Sequence, residues 1–392
     1  MNAADRSAPY SSRVPSFGVP LGPRSQLKAL TTLRFFAALH VVLFHMWVTG
    51  ELAVGPWWYQ NFASIGYVGV NCFFVLSGFI LVYTYTDPLL DAPRFWQARL
   101  ARIYPAYALS LVISAPFFFH AVRYLHIPFY SWSSHHLFSA CILTVLLLQA
   151  WIPQGALTWN SVCWSLSVEA FFYLLFPALL VWCRRRSPAH LLAWIMACAL
   201  LSLGLSLFYI VVHPDGVDKV NSPETTLLWK NVLSFNPVAR LPEFLTGMLA
   251  GQIFLRVKVS GALALPLVLG GLLVVATLTV LVGTVPTPLI SAGFLSPAFA
   301  AIIFGIALRP QWVSVLEANW LLLLGEASYS LYLLHSVVIT RVYDGLTSSP
   351  QWLRVVLALA AAIAAALLCF LLLEKPARNL LRPKARQGVA AR

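Results

Sequence analysis

From residue 29 to residue 373 this chain is a succession of apolar runs of bilayer-crossing length, separated by short gaps. A hydrocarbon core about 30 Å thick takes about 20 apolar residues in helical form. Lipid offers no partner to an open peptide group, so such runs are stable there as helices that bond internally. At 60% apolar and 10% charged residues, the composition lies far outside that of a soluble domain. The expected fold class is an all-α polytopic membrane protein in which residues 28–376 form one membrane-embedded domain. Residues 1–27 are polar and Pro/Ser-rich, the composition of a disordered arm. Residues 377–392 read as a basic tail. The arm lacks the order of a signal peptide, so the first apolar run is expected to stay in the protein.

Apolar segments lie near 29–48, 65–85, 103–122, 137–152, 163–183, 189–212, 237–255, 261–283, 288–308, 320–340 and 352–373. Lys and Arg in the flanking loops orient them, because such residues collect on the cytoplasmic side. Arg6, Arg13, Arg24 and Lys28, then Arg94, Arg99 and Arg102, then Arg184-Arg185-Arg186, Arg256, Lys258, Arg309 and the tail from Lys375 to Arg392 define that side. Eleven full crossings would strand the triple arginine outside. The segment 137–152, flanked by Ser131–His136 and Pro153-Gln154-Gly155, is the weakest, and as a re-entrant or peripheral helix it restores the order. Ten transmembrane helices then place both termini in the cytoplasm, and the chain is a multi-pass protein of the inner (plasma) membrane. Of the 26 Lys and Arg, nineteen fall inside and five outside, leaving Arg34 and Arg240 embedded.

The net charge of +13 therefore reflects membrane topology, and no nucleic acid is expected as a partner. The cysteines (72, 141, 163, 183, 198 and 369) fall in no metal-ligand spacing, so no metal is expected. They read as small buried hydrophobes.

An ionisable side chain at membrane depth needs a partner, a wet cavity or a function. Arg34 and His45 stand eleven residues apart in the otherwise uncharged run Ala29–Val48. At ~100° and ~1.5 Å per residue this is three turns plus roughly 20°, so both side chains line one face roughly 16 Å apart. Histidine is suited to proton transfer near neutrality. The alternative is helix packing for His45 and snorkelling for Arg34. His40 is rotated away from both and reads as a packing residue.

Other polar groups interrupt later runs. Gly66–Phe79 mixes small and aromatic residues, a packing signal. Arg99 and Arg102, three apart, suit either phosphate recognition or topological anchoring. Trp164-Ser-Leu-Ser-Val-Glu169 sets an acid inside an apolar run, and Arg240 and Glu243 offer an internal ion pair. Ser328, Tyr329, Tyr332 and His335 gather in one late helix, where they serve either an acceptor site or helix packing. Glu374-Lys-Pro-Ala-Arg378 reads as a helix stop.

It is the order of these elements that is specific. Arg34-x10-His45, Phe73-Phe-Val-Leu-Ser-Gly-Phe79, Arg99-x-x-Arg102-x-Tyr-Pro, Trp164-Ser-Leu-x-Val-Glu169, Arg240-x-x-Glu-Phe-x-x-Gly, Ser328-Tyr-Ser-Leu-Tyr-Leu-x-His335 and Glu374-x-Pro follow one another. In this the chain resembles the acyltransferase-3 family of integral-membrane O-acyltransferases over about residues 27–378. The resemblance implies transfer of an acyl group, commonly acetyl from acetyl-CoA, to a hydroxyl of a carbohydrate, a lipid-linked glycan or a secondary metabolite. Acyl-CoA is then a donor substrate, with no bound cofactor, and membrane lipids surround the chain. The resemblance matches His45 and Arg34 to the family's functional pair and Arg99 and Arg102 to its cytoplasmic arginines. It matches Trp164 and Glu169 to its aromatic-acid motif and His335 to a recurrent position.

The expected mechanism has Arg99 and Arg102, with Arg34, holding acyl-CoA while His45 acts as general base. Glu169 orients or charge-stabilises His45, and Arg34 orients the donor or offsets oxyanion charge. With about 18 residues after Glu374, a soluble esterase-like domain of the kind some members carry is not expected. The competing expectation is a transporter or flippase of a glycan or lipid, with Arg34 and His45 as a substrate or proton path.

Overall fold

The computed structural model describes residues 27–52, 55–86, 90–125, 127–222, 224 and 226–381. The expected disordered arm and most of the basic tail lie outside the described residues. Among these residues no β-strand forms.

The first four helices are α1 (Lys28–Val48), α2 (Trp57–Ser64), α3 (Val68–Thr84) and α4 (Ala92–His120). After the short α5 (Ser131–His135) and α6 (Leu137–Val145) come α7 (Trp164–Arg184), α8 (Pro188–Val212), α9 (Leu228–Phe235) and α10 (Pro237–Arg256). The chain ends with α11 (Ala264–Val280), α12 (Thr287–Ser291), α13 (Ser296–Ala307), α14 (Asn319–Glu326), α15 (Ser328–Gly345), α16 (Gln351–Cys369) and α17 (Lys375–Leu381).

By length and apolar composition, 7 helical stretches of the described residues can cross a membrane, or up to 9 when the bent pairs α2–α3 (48°) and α14–α15 (64°) each count as one span. Helix α10 is 20 residues long, about 30 Å, and falls outside that count through its own polar residues. Its polar groups turn inward, with Arg240, Glu243, Thr246 and Gln252 all buried. With α10 added, up to ten helical stretches are long enough to cross. The start of α4 lies earlier than expected, because Asp91 caps the helix on the Arg94 amide and carries the arginine segment into helical form. The run 320–340 breaks at Ala327.

The segment 137–152 forms no helix long enough to cross a membrane. Only Leu137–Val145 is α-helical, and short 3₁₀ turns follow. Irregular backbone at membrane depth has to be satisfied by protein. Here Tyr107 donates to the Thr144 carbonyl (2.5 Å), Gln149 to Cys163 (3.0 Å), Trp159 to Leu111 (3.0 Å) and Tyr130 to Trp159 (2.9 Å).

The arginines collect at one end of the bundle. Arg184 Nη2 donates to the Tyr85 carbonyl (3.0 Å), Arg99 to the Tyr85 hydroxyl (3.1 Å), and Arg256 to the carbonyls of Arg184 (2.9 Å) and Arg186 (2.6 Å). At the opposite end Arg354 pairs with Glu51 (3.3 Å) and Asn231 donates to Pro153 (3.1 Å).

Burial sorts the helices. In α11 only Ala264, Val268 and Gly271 are buried, while Leu269 and Leu273 stand 54% and 67% exposed. That is a lipid-facing surface. The densest packing joins α3 to α10, where backbone meets backbone. A Cβ on Gly247 would stand 1.9 Å from the Val75 carbonyl oxygen, and one on Gly78 2.2 Å from that of Phe244. Small residues are what permit such contact between membrane helices.

Gly247→Val is therefore expected to unfold the bundle or lower its stability by more than about 4 kcal/mol, beyond the range of an ordinary substitution. Gly270→Ala, where a Cβ meets nothing within 4 Å, is expected to stay within about 0.5 kcal/mol of the parent. Thermal unfolding in detergent, followed by fluorescence-detected size exclusion, compares the two.

Candidate active site

Helices α1, α3, α7 and α15 enclose a cavity of about 60 Å³ lined by Arg34, Phe73, Ser77, Glu169, Tyr329 and Tyr332, with Ser328 also in its wall. That is room for a couple of waters, whose share of liquid volume is about 30 Å³ each. Position within each helix selects the residues. Arg34 is two turns into α1, Ser77 two to three turns into α3, and Glu169 five residues beyond the start of α7.

The acid is held firmly. Ser77 Oγ donates to Glu169 Oε1 (3.2 Å), and the Tyr173 hydroxyl, one turn further along α7, donates to the same oxygen. On α15, Tyr329 donates to the Ile103 carbonyl (2.7 Å) and Tyr332 to that of Val162 (2.8 Å), while Ser165 shares a 2.7 Å hydrogen bond with Tyr332. Ser328 Oγ donates within its own turn to Gly325 (2.7 Å). These bonds fix the wall of the cavity.

The track continues from Tyr332 to the histidines. The Tyr332 and His335 rings lie 6.1 Å apart, and those of His335 and His45 4.9 Å apart. His45 Nδ1 is 2.9 Å from the Val41 carbonyl, and His335 Nδ1 is 3.1 Å from that of Leu331. His335 Nε2 stands 3.2 Å from His45 Nδ1. A carbonyl oxygen only accepts, so each Nδ1 is a donor and each neutral ring leaves its Nε2 lone pair free. His45 thus gives its Nδ1–H to Val41 and His335 together and keeps an open Nε2. The expected contact between Glu169 and His45 is not among these bonds; the side chain facing His45 is His335. His40 does pack as expected, with Nε2 2.7 Å from the Phe62 carbonyl and its ring stacked on Phe62 at 4.2 Å.

At the arginine-rich end the two paired guanidiniums part company. Arg99 is boxed by aromatic rings, its Cζ 5.5 Å from the Tyr85 ring, 5.7 Å from Phe95 and 5.9 Å from Tyr173. Arg102 instead shares a charged cluster with Arg34 and Glu374. Glu374, read from sequence as part of a helix stop, is 3% exposed and accepts from Ser330 (2.9 Å). Its place at the end of the ordered motif series was the one available signal.

Trp164, Arg240 and Glu243 lie behind the cavity wall. Arg240 pairs with Glu243 (3.1 Å), donates to Asn71 Oδ1 (2.6 Å) and to the Ser291 carbonyl, and sits over the rings of Phe74 and Trp164 at 5.6 and 5.8 Å. Phe74 also lines the cavity, so the ion pair braces the site from outside it. At the opposite end of the bundle a wider cavity of about 290 Å³ opens between Phe129, Trp132, His135, His136, Gln154 and Thr226. No sequence signal marked it. Among the described residues no cluster of His, Cys, Asp or Glu could hold a metal ion.

A bundle of membrane-length helices around a cavity that holds Arg34 and Glu169, with a histidine pair further along α1 and α15 and arginines gathered at one end, is the architecture of a polytopic membrane enzyme. The acyltransferase-3 family model, an acyltransferase domain, matches residues 27–374, and the chain belongs to that family. It is 28% identical over 376 residues to the acyltransferase MdmB of Streptomyces mycarofaciens, covering 91% of this chain and 92% of that protein. It is 26% identical over 342 residues to the O-acetyltransferase OatA of Staphylococcus aureus (strain NCTC 8325 / PS 47), covering 81% of this chain. The match spans only about half (51%) of OatA's length. No solved structure matches. The chain is an integral-membrane O-acyltransferase.

Removing one partner of a buried ion pair leaves an uncompensated charge. Arg240→Met is expected to destabilise the protein by about 3–5 kcal/mol, and Arg240→Met with Glu243→Leu to recover much of that loss. Midpoints of thermal unfolding in detergent decide it; a double variant no more stable than the single one refutes the pairing.

Proposed function

We propose that this enzyme moves an acetyl group from acetyl-CoA to the hydroxyl of a neutral acceptor, a carbohydrate, a lipid-linked glycan or a hydroxylated secondary metabolite, with His45 as general base. The observation that carries this reading is the free Nε2 of His45, left as an acceptor by the bonds at its Nδ1. A general base needs that lone pair within reach of the proton it removes. In the same reading the arginine-rich end faces the cytoplasm, in line with the bias of Lys and Arg to that side. The protein is then a multi-pass protein of the plasma membrane with both termini inside.

The donor arrives from that end. Its phosphates meet Arg99 and then Arg102, one turn further along α4, and its pantetheine arm runs toward Arg34. The acceptor oxygen attacks the thioester carbonyl carbon and gives its proton to His45 Nε2. The C–S bond breaks, and the thiolate leaves with a proton, so the products are the ester and free CoA. Arg34, inside a site with little water, stabilises the oxyanion that forms. Glu169, held by Ser77 and Tyr173, balances the charge of the arginines across the cavity. The wider cavity is lined by aromatic rings and uncharged polar groups, a fit for a neutral hydroxylated molecule rather than for anionic CoA.

Purified protein incubated with acetyl-CoA and acceptor extracts is expected to release CoA thiol, with an acetyl-sized mass gain on the acceptor. His45→Ala is expected to lower turnover by about 10²–10⁴-fold, the usual contribution of a general base. A folded variant with full activity removes His45 from that role. Arg99→Ala with Arg102→Ala is expected to raise the KM for acetyl-CoA with kcat little changed, as for lost uniform binding. An unchanged donor KM reduces both arginines to topological anchors.

A further inference from the structure

The second histidine is unexplained by a single general base. His335 is fully buried at 0% exposure, in a helix otherwise held by tyrosine and serine bonds to backbone. A buried polar ring costs free energy unless bonded, and the Leu331 carbonyl satisfies only one of its two nitrogens. The other, Nε2, points at His45 Nδ1 from 3.2 Å away. The bond to Leu331 makes it an acceptor, so the contact is a hydrogen bond with a defined direction.

We infer that His335 is a positioning residue for acyl transfer: its Nε2 accepts from His45 Nδ1–H and shares the charge that His45 gains with the acceptor's proton. The inference rests on the general-base reading of His45 and extends it. In the resting pair, His45 Nδ1–H lies between two acceptors, the Val41 carbonyl at 2.9 Å and the His335 ring. When the acceptor hydroxyl gives its proton to His45 Nε2, that ring becomes an imidazolium. Its Nδ1–H then turns into a charged donor, and hydrogen bonds of that kind are roughly twice as strong as neutral ones. The gain appears only as charge develops, so it lowers the barrier without tightening substrate binding. No atom is left over: the proton on His45 Nε2 passes to the departing CoA thiolate, and both rings return to their starting tautomers.

The geometry also fixes orientation. His45 is on α1 and His335 on α15, 290 residues apart in sequence. Each ring is tied to the carbonyl four residues earlier in its own helix. The T-shaped contact of the rings, 62° between planes, then sets the direction of the His45 lone pair. Tyr332, one turn from His335, has its hydroxyl engaged by Val162 and Ser165, so it does not compete for His335 Nε2.

Purified wild-type, His335→Phe, His335→Gln and His45→Ala proteins are compared for CoA release from acetyl-CoA, with methyl α-D-glucoside as the hydroxyl probe. His335→Phe keeps a ring and loses the acceptor; His335→Gln places an amide oxygen near the position of Nε2. His335→Phe is expected to lose about 10–100-fold in kcat, within the range of a hydrogen bond to a charged group, with the KM for acetyl-CoA unchanged within about twofold. His335→Gln is expected to restore most of that loss. Nitrogen-15 spectra of histidine-labelled wild-type protein, assigned by difference against His45→Ala, are expected to show His45 protonated at Nδ1 and bare at Nε2.

Inactive His45→Ala beside a folded His335→Phe of wild-type kcat overturns the role of His335 alone. Full activity in His45→Ala overturns the base reading beneath it. A resting His45 protonated at Nε2 overturns the tautomer assignment, and with it the role of His335, even where the glucoside is not acetylated or His335→Phe does not fold.

Discussion

Every polar group carried into a bilayer has to find its partner inside the protein, and the rest of this structure depends on that constraint. Helix α10 makes it visible. It holds an arginine, a glutamate, a threonine and a glutamine, all buried, and it packs most densely against α3 through Gly78 and Gly247. The close approach has two consequences. It lets the Arg240 guanidinium reach Asn71 on α3, and it presses Phe74 between that guanidinium and the cavity. Lipid-facing helices such as α11 carry almost no polar load, so the polar residues concentrate around a common axis.

Along that axis the character of the groups changes. At one end stand guanidiniums: Arg99 in its aromatic box, then Arg102 and Arg34 with Glu374 and Glu169. Further along α1 and α15 the groups are neutral, with Tyr332, His335 and His45 in sequence. This gradient follows from two helices crossing together, since Arg34 and His45 share one face of α1, and Tyr332 and His335 share one face of α15. The proposed donor, rich in phosphate, and the proposed acceptor, rich in hydroxyls, suit opposite ends of such a track.

Much of this was legible in the chain. Run length and loop arginines gave the helical class and marked 137–152 as the weakest segment, where only the short helix Leu137–Val145 forms. The eleven-residue spacing of Arg34 and His45 gave the polar face of α1. The Arg240–Glu243 pair followed from their i,i+3 spacing, which sets two side chains one turn apart on a helix. The long-range pairings were not legible. Nothing in residues 34–45 announces His335, because contact between α1 and α15 depends on how the bundle closes. Glu169 is likewise committed to Ser77 and Tyr173 rather than to His45, and local spacing carries no trace of that choice. The arginine pair separates for a similar reason. Arg99 and Arg102 are equivalent in sequence, but the rings that box Arg99 come from Tyr85 just after α3, Phe95 on its own helix and Tyr173 on α7.

The narrowness of the inner cavity bears on how such an enzyme avoids wasting its donor. A thioester exposed to water beside a histidine base is open to hydrolysis, and excluding water is one means of preventing that side reaction. Here the free volume is about 60 Å³, so in the proposed reaction the helices around it give way as a substrate enters. The elements able to yield are those with the fewest fixed bonds across the cavity. Glu169 is bonded to both α3 and its own helix, and Tyr332 is bonded to the start of α7. Arg34 lines the same cavity on α1 and pairs with no carboxylate within 4.0 Å among the described residues. A guanidinium held by field rather than by contact can follow an incoming anion without first breaking an ion pair. In the proposed reaction, its position between the arginine mouth and the histidines makes Arg34 the group suited to move with the donor while the histidine pair stays fixed.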